Sequence, residues 1–239
     1  PEYFRGGLHY VEAFMKYGCF GVMVAADLTE DEKKILSRFA IEFERTYTRF
    51  LGLQKAEEQA REAQIEAALE KVRSRSLAMH ESDELEEVIM VVSEQLQHLQ
   101  FRFHNVSFTR YNEQQGLHFW LVSPGQPQPY LIEVPYLDNP VFNRPLKALK
   151  KSIDFIADVL TPEENHAWLQ HLLDHSVLGE LPPADKNYLL NTKSYARSIV
   201  LMKQILLTIG NYAGVPYSGE QNTILKRFGH VFEQAYTRF

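Results

Sequence analysis

The chain has 239 residues, 45% of them hydrophobic and 12% aromatic, enough to bury at least one sizeable core. A net charge of −6 gives no ground for nucleic acid or an anionic membrane as partner, and no apolar run approaches the roughly 20 residues that span a bilayer. A single cysteine, Cys19, excludes an internal disulfide and suits a reducing compartment, with the cytoplasm as the expected location.

Residues 1–28 read as two strands and a turn. An apolar, aromatic run over 10–15 and a second over 19–25 flank Lys16, Tyr17 and Gly18, which is turn chemistry. Thr29 and Glu32 then form a capping-box pattern. Leu36, Phe39, Phe43, Tyr47 and Phe50 follow at spacings that place them on one helical face. The stretch 35–50 returns as 224–239, at an offset of 189 residues with 10 of 16 positions identical. In that second copy Leu225, Phe228, Phe232, Tyr236 and Phe239 repeat the stripe behind a Ser218…Gln221 capping box. Such self-similarity marks a tandem repeat, and the chain reads as a fragment that opens inside an earlier copy.

From 51 to 80 the helix is expected to continue. No proline occurs there, Gly52 is the only glycine, and five Lys/Arg balance five Glu. A thin seam of Leu53, Ala56, Ala60, Ala63 and Ala67 shifts to Ile65, Leu69, Val72 and Met79. About 50 helical residues span roughly 75 Å, and a rod of that length buries its stripe against another copy, as a homodimeric coiled coil. The other reading is a solvated helix between domains. Residues 29–81 are therefore a signalling helix or coiled-coil linker. The expected dimer interface is Leu36, Phe39, Phe43, Tyr47 and Phe50, with Phe228, Phe232, Tyr236 and Phe239 at the second stripe.

Residues 82–239 read as one domain. Ser82 is a candidate cap for a helix with an apolar stripe from Leu85 to Leu99. Strand-like runs over 103–111, 117–123 and 130–135 follow, the first two joined by a hairpin-length connection at 112–116. Asn139-Pro140 opens a short helix to about Lys151. The period of 153–160 fits a strand or a half-buried helix, Thr161-Pro162-Glu163-Glu164 caps a helix to about His175, and 178–186 reads as a loop. Two strands over 194–202 and 205–212 lead to the closing helix. Few strands are separated by single helical crossovers, so the expected class is α+β, with a mostly antiparallel sheet flanked by helices.

The stretches 194–200, 205–212 and 216–220, Ser-Tyr-Ala-Arg-Ser-Ile-Val, Ile-Leu-Leu-Thr-Ile-Gly-Asn-Tyr and Pro-Tyr-Ser-Gly-Glu, closely resemble the closing strands and last helix start of GAF domains. Gly21 to Ala26 with Leu28 to Glu32 resembles the same element, so residues 1–28 look like the C-terminal strands of a truncated GAF-like repeat. The rod ending at His80 resembles linkers in bacterial multidomain signal-transduction proteins, including two-component systems. The resemblance implies a GAF-like sensor module that binds a small molecule on one face of the sheet and relays the signal through dimeric helices to an output domain. It implies no particular ligand or cofactor. It does not point to a bilin or a cyclic nucleotide, because Cys19 lies on a strand of the truncated copy and the cyclic-nucleotide signature has no counterpart.

Pocket candidates are Tyr136, Phe142 and Arg144 in the insertion after the third strand, which helps roof the pocket in that family, with Trp120, Tyr195 and Arg197 from the sheet. Aromatic rings beside a few polar groups line ligand pockets, and they line ordinary cores as well. His171 and His175, with His166 a turn away, read as a solvent-facing cluster rather than a zinc site. His80-Glu81 lacks the residues that surround a kinase phosphoacceptor, and nucleophile elbow, P-loop and dinucleotide fingerprint are all missing from the sequence. The expectation is a non-catalytic protein without a metal site. The alternatives are a structural connector that only dimerises, or a PAS-like sensor.

Overall fold

The computed structural model describes residues 7–79, 84–112 and 116–236. Three of its helices begin where the sequence places capping boxes. Thr29 N donates to Glu32 Oε2 at 2.7 Å and Glu32 N returns to Thr29 Oγ1 at 3.4 Å. The Thr161/Glu164 and Ser218/Gln221 pairs close the same reciprocal ring at 2.9–3.2 Å, so two orphan amides are satisfied at each start. A fourth helix is capped by Asn139, whose side chain accepts from Val141 N, with Pro140 in the first turn. The Ser82 cap, the tip of the 112–116 connection, the His80-Glu81 pair and Phe239 lie outside the described residues.

The chain divides into two units, residues 1–63 and 64–239. In the first, β1 (His9–Met15) and β2 (Gly18–Val24) form an antiparallel hairpin, as expected. Helix α1 (Glu30–Leu77) contributes its residues up to 63 to this unit. Its Glu44 Oε2 accepts the Lys16 amide at 2.9 Å, and Phe39 and Tyr47 meet Phe20 and Tyr17 at ring distances of 6.1 and 5.2 Å.

The second unit is the α+β domain. Helix α2 (Leu85–His98) leads into β3 (Asn105–Asn112), β4 (Gly116–Val122) and β5 (Tyr130–Val134). Helix α3 (Pro140–Lys150), β6 (Phe155–Leu160), α4 (Pro162–His175), a 3-10 turn (Val177–Glu180) and α5 (Pro183–Leu190) follow. Strands β7 (Tyr195–Leu201) and β8 (Leu206–Asn211) and helix α6 (Gly219–Tyr236) close it. All six strands pair antiparallel in the order β5-β4-β3-β8-β7-β6. The ambiguous 153–160 stretch is a strand because it pairs in register with β7. The 178–186 stretch is not the expected loop: Pro182-Pro183 starts α5, since a proline in the first turn lacks only an amide that has no partner there.

Strand alternation gives the sheet two different faces. Val106, Phe108, Trp120, Leu207 and Ile209 point to a core built with α2 and α6. Ile65, Ala68, Leu69 and Val72 of α1 join that core, so it takes in residues from the segment expected to act as linker. Phe228 and Phe232 are fully buried there, Phe232 at 4.4 Å from the Phe108 ring. The other face carries α3, α4 and α5 over Leu117, Phe119, Ile132, Val134 and Tyr195.

Truncating a buried phenylalanine loses its transfer energy and leaves a cavity, at about 3–5 kcal/mol. Phe232→Ala should cost that much in urea unfolding followed by the fluorescence of Trp120 and Trp168, both in the second unit. Phe43→Ala, at the matching repeat position but 54% exposed, should leave the same transition within about 0.5 kcal/mol.

Candidate functional site

On the α3–α4 face, the odd positions of β3 are polar. Asn105, Ser107 and Thr109 are all buried, and Thr208 of β8 stands directly across from Ser107. Above them lies a cavity of about 70 Å³. Leu117, Phe119, Leu121, Ile199 and Leu206 wall it from the sheet, and Val141 and Pro145 of α3 with Trp168 and Leu172 of α4 roof it. Tyr195, Arg197 and Tyr212 complete the lining. The hydroxyls of Ser107, Thr109 and Thr208 make no hydrogen bond among the described residues.

Tyr195 reaches across Gly210 to donate to Asn105 Oδ1 at 2.6 Å. A Cβ at residue 210 would lie 1.9 Å from the Tyr195 hydroxyl oxygen, so only glycine lets the ring cross there. Burial raises the Tyr195 phenol well above its ordinary value, and the opposing influence of Arg197 and Asn105 does not reverse it. Tyr195 is a neutral donor.

Arg197 is spent on structure. Its Nε and Nη2 hold both oxygens of Asp158, its cross-strand neighbour, at 2.7 and 3.1 Å. Its Nη1 donates to Val141 O at 3.3 Å, the carbonyl that would bond to the amide of residue 145 in a regular helix. Pro145 has no amide, so the guanidinium fills the vacancy. Arg144 continues the chain of charges: Nη1 meets Asp158 Oδ2 at 2.9 Å and Nη2 meets both Glu164 oxygens at 2.9 and 3.1 Å. Glu164 is also the capping-box residue of α4, so one carboxylate–guanidinium series ties β6, β7, α3 and α4 together. Burial opposes ionisation of Asp158, but hydrogen bonds and charge from Arg197, then from Arg144, outweigh it and hold the carboxyl below its usual range.

Of the six pocket candidates, the structure places Tyr195 and Arg197 at the cavity and the other four elsewhere. Trp120 faces the opposite side of the sheet, under Arg110 at 5.4 Å, because it is one residue out of step with Phe119 on a strand. Phe142 is fully buried between Tyr136 and Trp168 as core. Tyr136 is 45% exposed and bonds Asn143, and Arg144 is occupied by two carboxylates. Sequence reasoning does not single out the hydroxyl row of β3 and β8, since alternate polar residues on a strand ordinarily face water.

Phe228 and Phe232 do not offer the expected interface face: both are fully buried inside their own domain and present nothing to a partner. Tyr236 is half-buried, stacked on Phe232 and accepting from Arg110 Nη2 at 3.1 Å. Leu36 is buried in the first unit, whereas Phe39, Phe43, Tyr47 and Phe50 are exposed. The histidine cluster forms no metal group: His171 bonds Pro135 O at 2.8 Å, His175 bonds His171 O at 3.0 Å, and no site with three ligating side chains occurs among the described residues. Nor is any described helix long and apolar enough to cross a membrane.

No protein-family model and no curated protein matches the chain. Among solved structures it is similar to the phycoerythrobilin-bound GAF domain of a cyanobacterial phytochrome, with a TM-score of 0.45 and 12% identity over 73% of this chain and 94% of that one.

Removing one partner of a buried ion pair strands the other, at about 3–5 kcal/mol. Asp158→Asn should cost that order in urea unfolding, because Arg197 keeps its charge. A depressed folded-state carboxyl contributes stability that is complete above its unfolded value near 3.9 and is lost as pH falls through the folded value. Wild-type stability should therefore decline below about pH 4, and the variant's curve should be flatter in that window.

Proposed function

We propose that the second unit is a non-catalytic, GAF-like sensor module whose cavity receives a small neutral molecule. The observation that carries this reading is the row of Ser107, Thr109 and Thr208 hydroxyls, left without partners at the base of an apolar cavity. Hydroxyls that face the hollow without a protein partner are open to a ligand or to water, and convergent polar groups in an apolar hollow are how ligands are oriented. Neutrality follows from charge balance: Arg197 is the only charged residue in the lining, and Asp158 already compensates it.

The space as it stands holds about two waters at ~30 Å³ each, so a metabolite enters by displacing α3 or α4. The ion series at Asp158 is what such a displacement would strain. The route outward runs through β7, where Arg197 faces the cavity and Ser198 donates to Asn222 of α6 at 2.7 Å on the opposite face. The relay would reach an output domain through the terminal helix. A connector without ligand is the competing reading, and the small volume favours it.

A thermal-shift screen of small neutral metabolites separates the two. A ligand at 100 times its Kd stabilises by about 2.7 kcal/mol, a rise of roughly 5–10 °C for a unit of this size. Thr109→Val and Ser107→Ala should each weaken that ligand about tenfold, the worth of one hydrogen bond, without lowering the ligand-free Tm. A screen without hits, or a hit indifferent to both substitutions, would count for the connector.

A further inference from the structure

The two copies of the repeat are the same device in three dimensions. Glu44 accepts the Lys16 amide at 2.9 Å and Glu233 accepts the Lys203 amide at 3.0 Å, each helix clamping the turn of the hairpin before it. Each helix starts with a capping box, and each hairpin is antiparallel. What differs is what covers them. In the second copy β8 is paired on both edges, with β7 and with β3, and Phe228 and Phe232 are completely buried. In the first copy β2 pairs with β1 alone among the described residues, and the matching Phe39 and Phe43 are 61% and 54% exposed.

We infer that the free edge of β2 and the aromatic face of α1 form one docking surface for an antiparallel strand backed by an amphipathic helix, of the kind this chain builds as β3 and α2. The incoming strand extends the sheet through main-chain hydrogen bonds to β2, and its inward aromatic seats on Phe43 as Phe108 seats on Phe232. The helix covers Ile35 and Phe39, whose counterparts Ile224 and Phe228 share one buried core with α2. A second α1 laid along the stripe would cover the rings but leave the adjoining strand edge unpaired. A strand with its helix satisfies both, which is why the occupant is this module and not a coiled-coil partner.

The test joins a copy of residues 64–193 to the N-terminus of the full chain, so that a helix and strand like α2 and β3 precede the first hairpin in the repeat's own order. Hydrogen exchange at residues 18–24 and 35–50, unique to the original segment, should slow about 100-fold or more as exposed amides gain a fold around them. The same extension carrying Phe108→Glu in the added copy should abolish the protection. Unchanged exchange in an extension whose own strands are protected would overturn the inference. Light scattering on the unextended chain decides independently of whether the extension folds. A monomer at micromolar concentration that Phe43→Glu leaves unaltered, with residues 18–24 exchanging fast, is the expected result. A dimer that Phe43→Glu dissolves would assign the face to a second copy instead and sink the proposal.

Discussion

The roof of the cavity depends on one carboxylate. Asp158 sits between the guanidiniums of Arg197 and Arg144, and through them reaches the proline-containing helix α3 and the first turn of α4. A purely apolar roof would sink until it filled the space beneath, since interiors pack to the density of organic crystals. Charged pins resist that collapse because their hydrogen bonds are directional and short. Pro145 makes the arrangement necessary: it takes an amide from α3, and the donor that replaces it comes from the sheet. The helix is thereby anchored to β7 at the point where it would otherwise be weakest.

The elements themselves were legible because their signals are local. Capping boxes, the Asn139-Pro140 start and the strand runs each specify a few neighbouring residues, and the structure repeats them closely. The site was not, because its logic is non-local. Arg197 looks like a ligand's hand until Asp158, 39 residues earlier, appears beside it. Asn105, Ser107 and Thr109 alternate with Val106 and Phe108, a pattern that reads as a solvated face unless one knows that α3 and α4 fold over it. Trp120 and Phe119 are adjacent, and only the pairing register decides which of them meets the cavity.

The repeat shows the same limit from another side. Phe43 and Phe232 occupy equivalent places in nearly the same sequence, on helices that hold their hairpins by the same glutamate. One is open and the other fully covered. An amphipathic stripe states that a face wants cover; it carries no information about what supplies it. Burial belongs to the fold around the helix and not to the helix.

The clamp between helix and hairpin has a kinetic consequence. Within the segment 195–236, the pairing of β7 with β8 and the Glu233 clamp on Lys203 close short loops at small entropic cost. The central pairing of the sheet is different: Val106 must find Ile209 across about a hundred intervening residues, and such distant pairings slow a fold's formation. The hairpin and its helix are therefore expected to form first, with β3 and α2 docking on them later. In φ-value terms, high values in β7, β8 and α6 with low values in β3 express that order, and the opposite distribution would contradict it.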